Sequence, residues 1–354
     1  MLSPVKPLVL SLALPLSLTA CAYDPAAVVP PASETPITLR TMGSFAFGGS
    51  VIYREDGTTF HGDHGYAQYY IPAQARHLPI VMWHGIGQSG KTYESTPDGR
   101  EGFQALLPRD DYAVYIVDQP RRGRAGYTAA EMVQTAIPTL TSEAGVWEAF
   151  RNGPWQAGSK AHVFKDSAFP LSPAAVEQFF RQQTPDTGAE PQSAAYRRFM
   201  GRTGAAFFES IGEGILITHS NSGQYGWEIA MVSDKVRAII AFEPGACAFP
   251  ESNPPEDFEI GQDLVRERLA PRMVTDAEFE KLTEVPILII FGDNIATTVQ
   301  KEAFNAEVWR VARLRAEQFV KEVNARGGDA QLIDLPSLGL KGNTHASFAD
   351  LNNL

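Results

Sequence analysis

Short apolar runs bounded by turn residues recur along the chain from about residue 40 onward. Such runs indicate buried strands, and the segments between them carry helix-like patterns. Strands that alternate with helices are typical of an α/β protein with a mostly parallel, twisted sheet covered by helices on both faces. The predicted strands are residues 43–49, 67–71, 79–83, 112–117, 215–218, 236–242, 287–291 and 330–335.

Two stretches are too long to be simple crossovers between strands. Residues 127–204 contain Trp147, Trp155 and several prolines, and residues 244–284 contain Pro250, Pro254, Pro255 and a charged helical stretch. Long loops without structure are rare in compact domains unless they are functional. We therefore predict two cap-like insertions that cover the site of a single domain spanning residues 40–354.

Polar side chains follow five of the predicted strands. In a parallel sheet, active groups gather at the carboxyl ends of the strands, so we expect a site there. These residues are His84, Asp118, Ser220, Glu243 and Asp293. Asp118 is expected to fix the turn that leads into the arginines at 121–124, without a catalytic role.

Ser220 ends the apolar run 215–217 and is flanked two residues away by Thr218 and Ser222. A serine nucleophile on a sharp strand-to-helix turn needs small neighbours at these positions, although glycines are more usual there. A serine-rich turn that merely caps the next helix is the alternative. The pattern favours Ser220 as a nucleophile.

A serine hydroxyl needs an imidazole to take its proton and a carboxylate to orient that imidazole. His345 is the one histidine after Ser220, and it lies beyond the last predicted strand. Two acids fit the chain order of nucleophile, acid and base: Glu243 after strand 236–242 and Asp293 after strand 287–291. The residues alone leave this choice open.

The oxyanion of an acyl-transfer intermediate is held by backbone N–H groups, usually one directly after the nucleophile and one from an earlier strand-end loop. The sequence points to Asn221 for the first. For the second it points to Ile86, with Gly87 as the alternative, in the glycine-containing loop after strand 79–83.

Two other motifs suggest different chemistry. Residues 85–92 match G-x-x-x-x-G-K-[ST], a phosphate-binding loop, but residues 96–99 interrupt the helix that should follow. His61 and His64 could ligate a metal, yet a solvated turn is the favoured interpretation. We therefore predict neither a bound cofactor nor a metal.

The N-terminus resembles a bacterial lipoprotein leader. Lys6 precedes an apolar stretch over residues 8–18 that is too short for a membrane span, followed by Leu-Thr-Ala-Cys at 18–21. We expect a signal peptide over 1–20, an acylated Cys21 that binds the lipid bilayer, and a tether over 21–39 rich in proline. Cys247 would then have no cysteine partner within the chain.

Composition excludes one class of partner. The 354 residues are 44% hydrophobic and carry a formal net charge of −11, so no basic field exists to attract nucleic acid. The oligomeric state is not predictable from the sequence.

The chain resembles a small family of exported bacterial esterases of the α/β-hydrolase fold over roughly residues 40–354. The matching pieces are Gly43-Ser44-Phe45 with Gly48-Gly49, Gln68-Tyr69-Tyr70-Ile71-Pro72, His84-Gly85, Thr96-Pro97-Asp98-Gly99-Arg100, Arg122-Gly123-Arg124 with Gly126, His219-Ser220, Glu243-Pro244-Gly245, Phe291-Gly292-Asp293, Gly342-Asn343 with His345, and Asp350 with Asn352-Asn353. The family's triad acid corresponds to Glu243, so the resemblance implies Ser220, His345 and Glu243. Family members usually continue through a final helix beyond the point where this sequence ends, at Leu354.

The expected function is hydrolysis of carboxylic esters through an acyl-enzyme by a protein anchored in the bacterial envelope, or secreted if Cys21 is not acylated. The same triad could cleave amides, lactones or thioesters. A fold used only for binding in the envelope is the alternative from a different class.

Overall fold

The computed structural model describes residues 35–76, 78–126, 141–156, 162–183 and 190–353. The strands in these residues are β1 (Leu39–Tyr53), β2 (Thr59–Pro72), β3 (Ile80–Trp83), β4 (Val114–Asp118), β5 (Gly214–His219), β6 (Val236–Phe242), β7 (Ala248–Pro250), β8 (Arg272–Val274), β9 (Ile287–Phe291) and β10 (Ala330–Asp334). The helices are α1 (Phe103–Arg109), α2 (Glu143–Ala149), α3 (Pro173–Arg181), α4 (Ala194–Ile211), α5 (Gly223–Val232), α6 (Asp263–Arg268), α7 (Asp276–Thr283) and α8 (Phe304–Ala325).

Eight strands form one sheet in the order β1-β2-β4-β3-β5-β6-β9-β10. The pairs β1–β2 and β2–β4 are antiparallel, and the pairs from β4 to β10 are parallel. Alternate residues of β3 enter two hydrophobic cores: Val81 and Trp83 on one face, Ile80 and Met82 on the other. The predicted sheet, mostly parallel and covered on both faces, is confirmed.

The hairpin of β1 and β2 is longer than the sequence suggested. Gly48 and Gly49 have positive φ angles of 62° and 85° within β1, yet the pairing keeps its register across them, from Gly48 opposite His64 to Ser50 opposite Gly62. Two adjacent glycines resemble a strand end in a sequence. The predicted turn at His61 and His64 is wrong, because both residues pair with β1 within β2.

Helix α4 belongs to the layer that covers the sheet. A Cβ atom on Gly204 would lie 2.3 Å from Ile229 Cδ1, so glycine lets α4 approach α5 closely. The expected end of the first insertion, at about residue 204, therefore falls inside a helix of the main body. In the second insertion, Phe279 and Leu282 of α7 are buried in the main core.

None of the described helices is long and apolar enough to cross a membrane. The predicted signal peptide, Cys21 and all but the end of the tether lie outside the described residues.

Candidate active site

Ser220 lies where β5 ends and α5 is about to begin, the strand-to-helix turn that the sequence predicted. Its φ of 56° is in the left-handed region, which is uncommon for a residue other than glycine. The turn is crowded: a Cβ on Gly223 would lie 2.5 Å from Pro244 Cβ, and one on Gly85 would lie 3.1 Å from Ser220 Cβ. Ser220 thus occupies a conformation that its surroundings enforce.

The small residues on either side of Ser220 have identifiable roles. The Ser222 hydroxyl accepts a hydrogen bond from His219 N at 3.0 Å and lies 3.0 Å from the Trp83 carbonyl of β3, to which it can donate. A Cβ on Gly226 of α5 would lie 2.9 Å from Thr218 Cγ2. The serine and threonine that replace the more usual glycines therefore fit the turn and tie it to the neighbouring strand.

His345 and Ser220 line the same cavity, as the sequence predicted. His345 N donates to the Phe150 carbonyl at 2.9 Å, and its imidazole lies between aromatic rings, with the Trp309 centroid at 3.9 Å and the His219 centroid at 4.4 Å. In the described contacts, Ser220 Oγ makes no hydrogen bond to His345. In free enzymes this contact is often long and tightens when substrate binds.

Glu243 is the acid that contacts His345, with Oε2 2.5 Å from His345 Nδ1. Its φ of 46° is also left-handed. Arg151 makes a two-pronged ion pair with the carboxylate at 2.6 and 2.5 Å, and Gly292 N donates to Oε1 at 2.7 Å. Each carboxylate oxygen therefore receives two hydrogen bonds although the side chain is buried.

The surroundings keep Glu243 ionised. Burial alone would raise the pKa of this carboxyl, but the charge of Arg151, the interaction with His345 and the hydrogen bonds from both residues together hold the pKa well below its ordinary value. An ionised carboxylate can only accept, so His345 Nδ1 carries a proton and donates it in this bond.

Asp293 does not contact His345 in the described hydrogen bonds. Its Oδ2 accepts from Gly342 N at 2.8 Å and its Oδ1 accepts from Asn294 N at 2.7 Å. Its own N–H donates to the Asn343 carbonyl at 2.8 Å. Asp293 thus shapes the loop that carries His345.

The two adjacent imidazoles are both neutral near pH 7. Burial lowers the pKa of His345, an effect opposed by Glu243 and reinforced by Arg151. Burial, followed by the neighbouring His345, lowers the pKa of His219 well below its ordinary value. His219 Nε2 lies 3.0 Å from the His345 carbonyl, which can only accept. His219 is therefore a structural hydrogen-bond donor, and His345 keeps an unprotonated Nε2.

Arg151 is the functional residue that sequence reasoning missed. It follows α2 with a φ of 53°, in the first insertion and 92 residues before Glu243. Its Nε also donates to the Asp293 carbonyl at 2.9 Å. The Arg-Asn-Gly sequence at 151–153 signals a turn, but nothing in it identifies the distant carboxylate.

The loop after β3 contains the predicted oxyanion-hole residues. Ile86 and Gly87 line the cavity together with Asn221. His84 Nδ1 lies 2.8 Å from the Gly85 carbonyl, and His84 Nε2 accepts from Gln119 N at 3.3 Å. The peptide bond between Gly85 and Ile86 is trans, so the Ile86 N–H points in the direction opposite to the Gly85 carbonyl that lies beside His84 Nδ1.

A buried network of polar side chains holds the side chain of Asn221 in place. Asn221 Nδ2 donates to Glu190 Oε2 at 2.8 Å, and Tyr225 Oη donates to the same oxygen at 2.6 Å. The other Glu190 oxygen accepts from Gln119 Nε2 at 2.8 Å. Glu190 thereby links the turn at Ser220 to the segment that holds His84.

The cavity that contains Ser220 has a volume of about 780 Å³. Both segments predicted as insertions contribute to its wall, through Val146 and Phe180 from the first and Ala246 and Leu269 from the second. Three other aromatic residues of the first insertion are not part of this wall. Trp147 and Phe179 are buried in a hydrophobic core, and Trp155 packs against it.

The residues that match the phosphate-binding loop motif make hydrogen bonds to other groups of the protein. Lys91 Nζ donates to the Ser95 carbonyl at 3.0 Å, and Gly90 N donates to Asp118 Oδ1 at 2.5 Å. Asp118 Oδ2 also accepts from Arg124 N at 2.9 Å, which confirms that Asp118 fixes this turn. Within the described ranges, no three acidic, histidine or cysteine side chains cluster as metal ligands.

Comparison with known proteins gives relatives for most of the chain, although no family profile matches it. The probable secreted lipase phiG of a fungus (Fungal sp., strain ATCC 74256) is 26% identical over 328 residues, 82% of each chain. A bacterial esterase solved at atomic resolution has a TM-score of 0.69 at 28% identity, over 92% of this chain and 95% of that one. Naproxen esterase from Bacillus subtilis is more distant, with a TM-score of 0.37 at 12% identity over 89% and 88% of the two chains.

Proposed function

We propose that this carboxylic-ester hydrolase, which is similar to bacterial esterases of the α/β-hydrolase fold, acts through Ser220, His345 and Glu243. An esterase and a secreted lipase are its relatives, and ester hydrolysis is the chemistry that they share. One observation carries the assignment of residues: His345 lines the cavity of Ser220 while its Nδ1 lies 2.5 Å from the Glu243 carboxylate.

Ser220 Oγ attacks the ester carbonyl carbon while His345 Nε2 removes the hydroxyl proton. The N–H groups of Asn221 and Ile86 stabilise the oxyanion of the tetrahedral intermediate, with Gly87 as the alternative second donor. The intermediate collapses, and the alcohol leaves with the proton from His345. Water, deprotonated by His345, then attacks the acyl-Ser220 ester; the bond to Oγ breaks, His345 returns the proton to Ser220 Oγ, and the carboxylic acid leaves.

Arg151 supports the Glu243 assignment. The imidazolium that forms during the reaction needs a carboxylate that remains charged, because a proton passed to Glu243 would remove that stabilisation. The ion pair with Arg151 opposes such a transfer by lowering the pKa of Glu243. The Asp293 carboxylate, bound to backbone N–H groups, has no comparable contact with His345.

A fluorophosphonate probe tests the nucleophile. We expect the probe to form a covalent adduct with the wild-type protein, located at Ser220 by mass spectrometry, and none with Ser220→Ala. Ser337→Ala, which changes an exposed serine, is the matched control and should label like the wild type. Folded wild-type protein that resists the probe, or labelling that persists in Ser220→Ala, would contradict the assignment.

We also propose that the exported protein is held at the membrane by a lipid on Cys21. The secreted relative supports export, and the leader sequence with its Leu-Thr-Ala-Cys site supports lipid attachment. Cys21→Ser should shift the protein from the detergent phase to the aqueous phase in Triton X-114 partitioning. Cys247→Ala is the control, since Cys247 is buried in the domain. Equal partitioning of Cys21→Ser and wild type would exclude the anchor.

A further inference from the structure

Two arginines of the cavity wall differ from the buried arginines of the molecule. All six arginines buried in the described part of the chain have a carboxylate within 4.0 Å. These pairs are Arg121–Asp63, Arg122–Glu190, Arg151–Glu243, Arg197–Glu228, Arg310–Glu307 and Arg315–Asp257. Arg268, which is exposed, and Arg272, which is half-buried, line the cavity of Ser220, and neither has an acidic partner among the described residues.

Arg272 is the more constrained of the two. Its Nε is buried without a hydrogen-bond partner, and its Nη2 donates to the Arg268 carbonyl at 2.9 Å. Burial and the nearby charge of Arg197, partly opposed by Tyr225, lower the pKa of Arg272 to about 10. The group is still protonated at neutral pH, so a buried donor and a positive charge are both left uncompensated.

The other charges of the wall do not neutralise this pair. Glu177 forms an ion pair with Arg181 at 3.1 Å, which leaves Glu143 as the remaining acidic side chain of the lining. The chain as a whole has a net charge of −11, so its long-range field repels anions. Attraction of an anion at Arg268 and Arg272 is therefore a local property of the cavity.

We propose that Arg268 and Arg272 bind a carboxylate of the substrate, so that the preferred esters are monoanions with a free carboxylate beside the scissile bond. This inference rests on the proposed ester hydrolysis at Ser220. A carboxylate would accept charge-assisted hydrogen bonds from both guanidinium groups and would supply the negative charge that neither arginine has as a partner among the described residues. The carboxylate can belong to the acyl part, as in a dicarboxylic half-ester, or to the alcohol part.

Two matched ester pairs distinguish these sources at pH 8. The acyl pair is the mono-4-nitrophenyl ester of glutaric acid and the corresponding ester of glutaramic acid. The alcohol pair is 4-acetoxybenzoate and 4-acetoxybenzamide. In at least one pair, we expect the wild-type kcat/KM of the anionic ester to exceed that of the amide by roughly tenfold or more, the contribution of one charge-assisted hydrogen bond.

Arg272→Met and Arg268→Met should each reduce this ratio markedly, mainly through KM. Arg266→Met is the matched control, since Arg266 lies on the helix of Arg268 but outside the cavity lining, where it pairs with Asp257 at 3.4 Å. This variant should keep the wild-type ratio. If Arg272→Met does not fold, Arg272→Lys replaces it. Added NaCl should then lower the wild-type ratio, as expected for a screened charge.

A ratio near one in both pairs, or a ratio unchanged in both arginine variants, would overturn the carboxylate subsite and leave the ester chemistry intact. Failure of all four esters to turn over, together with no fluorophosphonate labelling, would overturn the proposed function and the subsite with it.

Discussion

The carboxyl ends of β6 and β9 are adjacent in the sheet, and each is followed by a carboxylate, yet the two side chains have different tasks. Glu243 follows β6 directly and binds the imidazole of His345 and the guanidinium of Arg151. Asp293, two residues beyond β9, accepts from backbone N–H groups of its own turn and of Gly342. The comparison shows that a strand-end position makes a carboxylate a candidate, whereas its charged partners determine its function.

Replacing the acids separately tests the comparison most strongly. In Glu243→Gln an amide replaces the carboxylate, so the imidazolium loses its negative partner and the required tautomer is no longer fixed. We expect kcat/KM to fall by roughly 10³- to 10⁴-fold, as for the loss of a triad acid elsewhere. Steady-state hydrolysis of a 4-nitrophenyl ester measures the effect, with circular dichroism to confirm folding.

Asp293→Asn is the matched control for that experiment. It should retain kcat/KM within a few-fold of the wild type, because Asp293 makes no described contact with His345. A larger loss in Asp293→Asn than in Glu243→Gln would reverse the two assignments.

Arg151→Met tests whether the cation distinguishes the two acids. Removing one partner of a buried ion pair costs about 3–5 kcal/mol of stability, and we expect kcat to fall by roughly ten- to a hundredfold. The charge of Arg151 lowers the pKa of His345, so its removal should raise that pKa. Because the base must be neutral, the acid limb of the kcat/KM profile should move to higher pH.

Arg151→Lys separates charge from packing at this position. A lysine restores the positive charge without the two-pronged geometry, so its acid limb should lie between those of Arg151→Met and the wild type. An unchanged acid limb in Arg151→Met would show that the arginine only fills space.

Gly292→Ala probes the point where the two strand ends meet. Gly292 follows β9 but donates to Glu243, and an added Cβ would lie 2.6 Å from the Thr344 carbonyl and 3.0 Å from Glu243 Oε1. The loop of His345 must then move, so we expect a loss of about 1–3 kcal/mol in the free energy of unfolding and lower kcat.

Gly245→Ala is the corresponding change beyond β6. The nearest atom to its Cβ would be Ser220 O at 3.8 Å, an ordinary contact, so the free energy of unfolding measured in urea should change less. Equal losses in the two variants would mean that crowding beside Glu243 is not the cause.

The smallest effect should be on stability in Asp293→Asn. The amide keeps one acceptor oxygen, so one of the two backbone bonds to this side chain is lost, at about 1 kcal/mol. Urea unfolding measures the difference. A change in the pH profile of this variant would indicate that Asp293 does influence His345 electrostatically.

The central strands were predictable, because β6 and β9 are apolar runs with sharp polar boundaries, and both agree with the structure residue for residue. The extent of the edge hairpin formed by β1 and β2 was harder to predict from the sequence. Its glycines at 48 and 49 resemble a strand end, although the pairing of β1 with β2 continues across them in register. Local sequence does not distinguish these cases, because the partner strand determines which one occurs.

The site was predictable to the extent that its residues follow strands. The chain order and the scarcity of histidines beyond Ser220 were enough to predict that Ser220 and His345 lie at one cavity. The residues alone did not decide between Glu243 and Asp293, because both follow strands that can reach His345. Arg151 could not be found at all, since its partner is defined only by the folded path of the segment after α2.

The ion pair between Arg151 and Glu243 also limits which segments of this enzyme can be exchanged separately for those of a relative. Arg151 belongs to a segment that resembles a removable cap, yet that segment holds the His345 loop through the Phe150 carbonyl and through Ala168, whose N–H donates to the Gly342 carbonyl at 2.8 Å. A chimera that grafts a different cap onto this sheet would leave a buried carboxylate without its cation. Exchange of specificity between relatives therefore requires the cap and the residues after β6 and β9 to be transferred together.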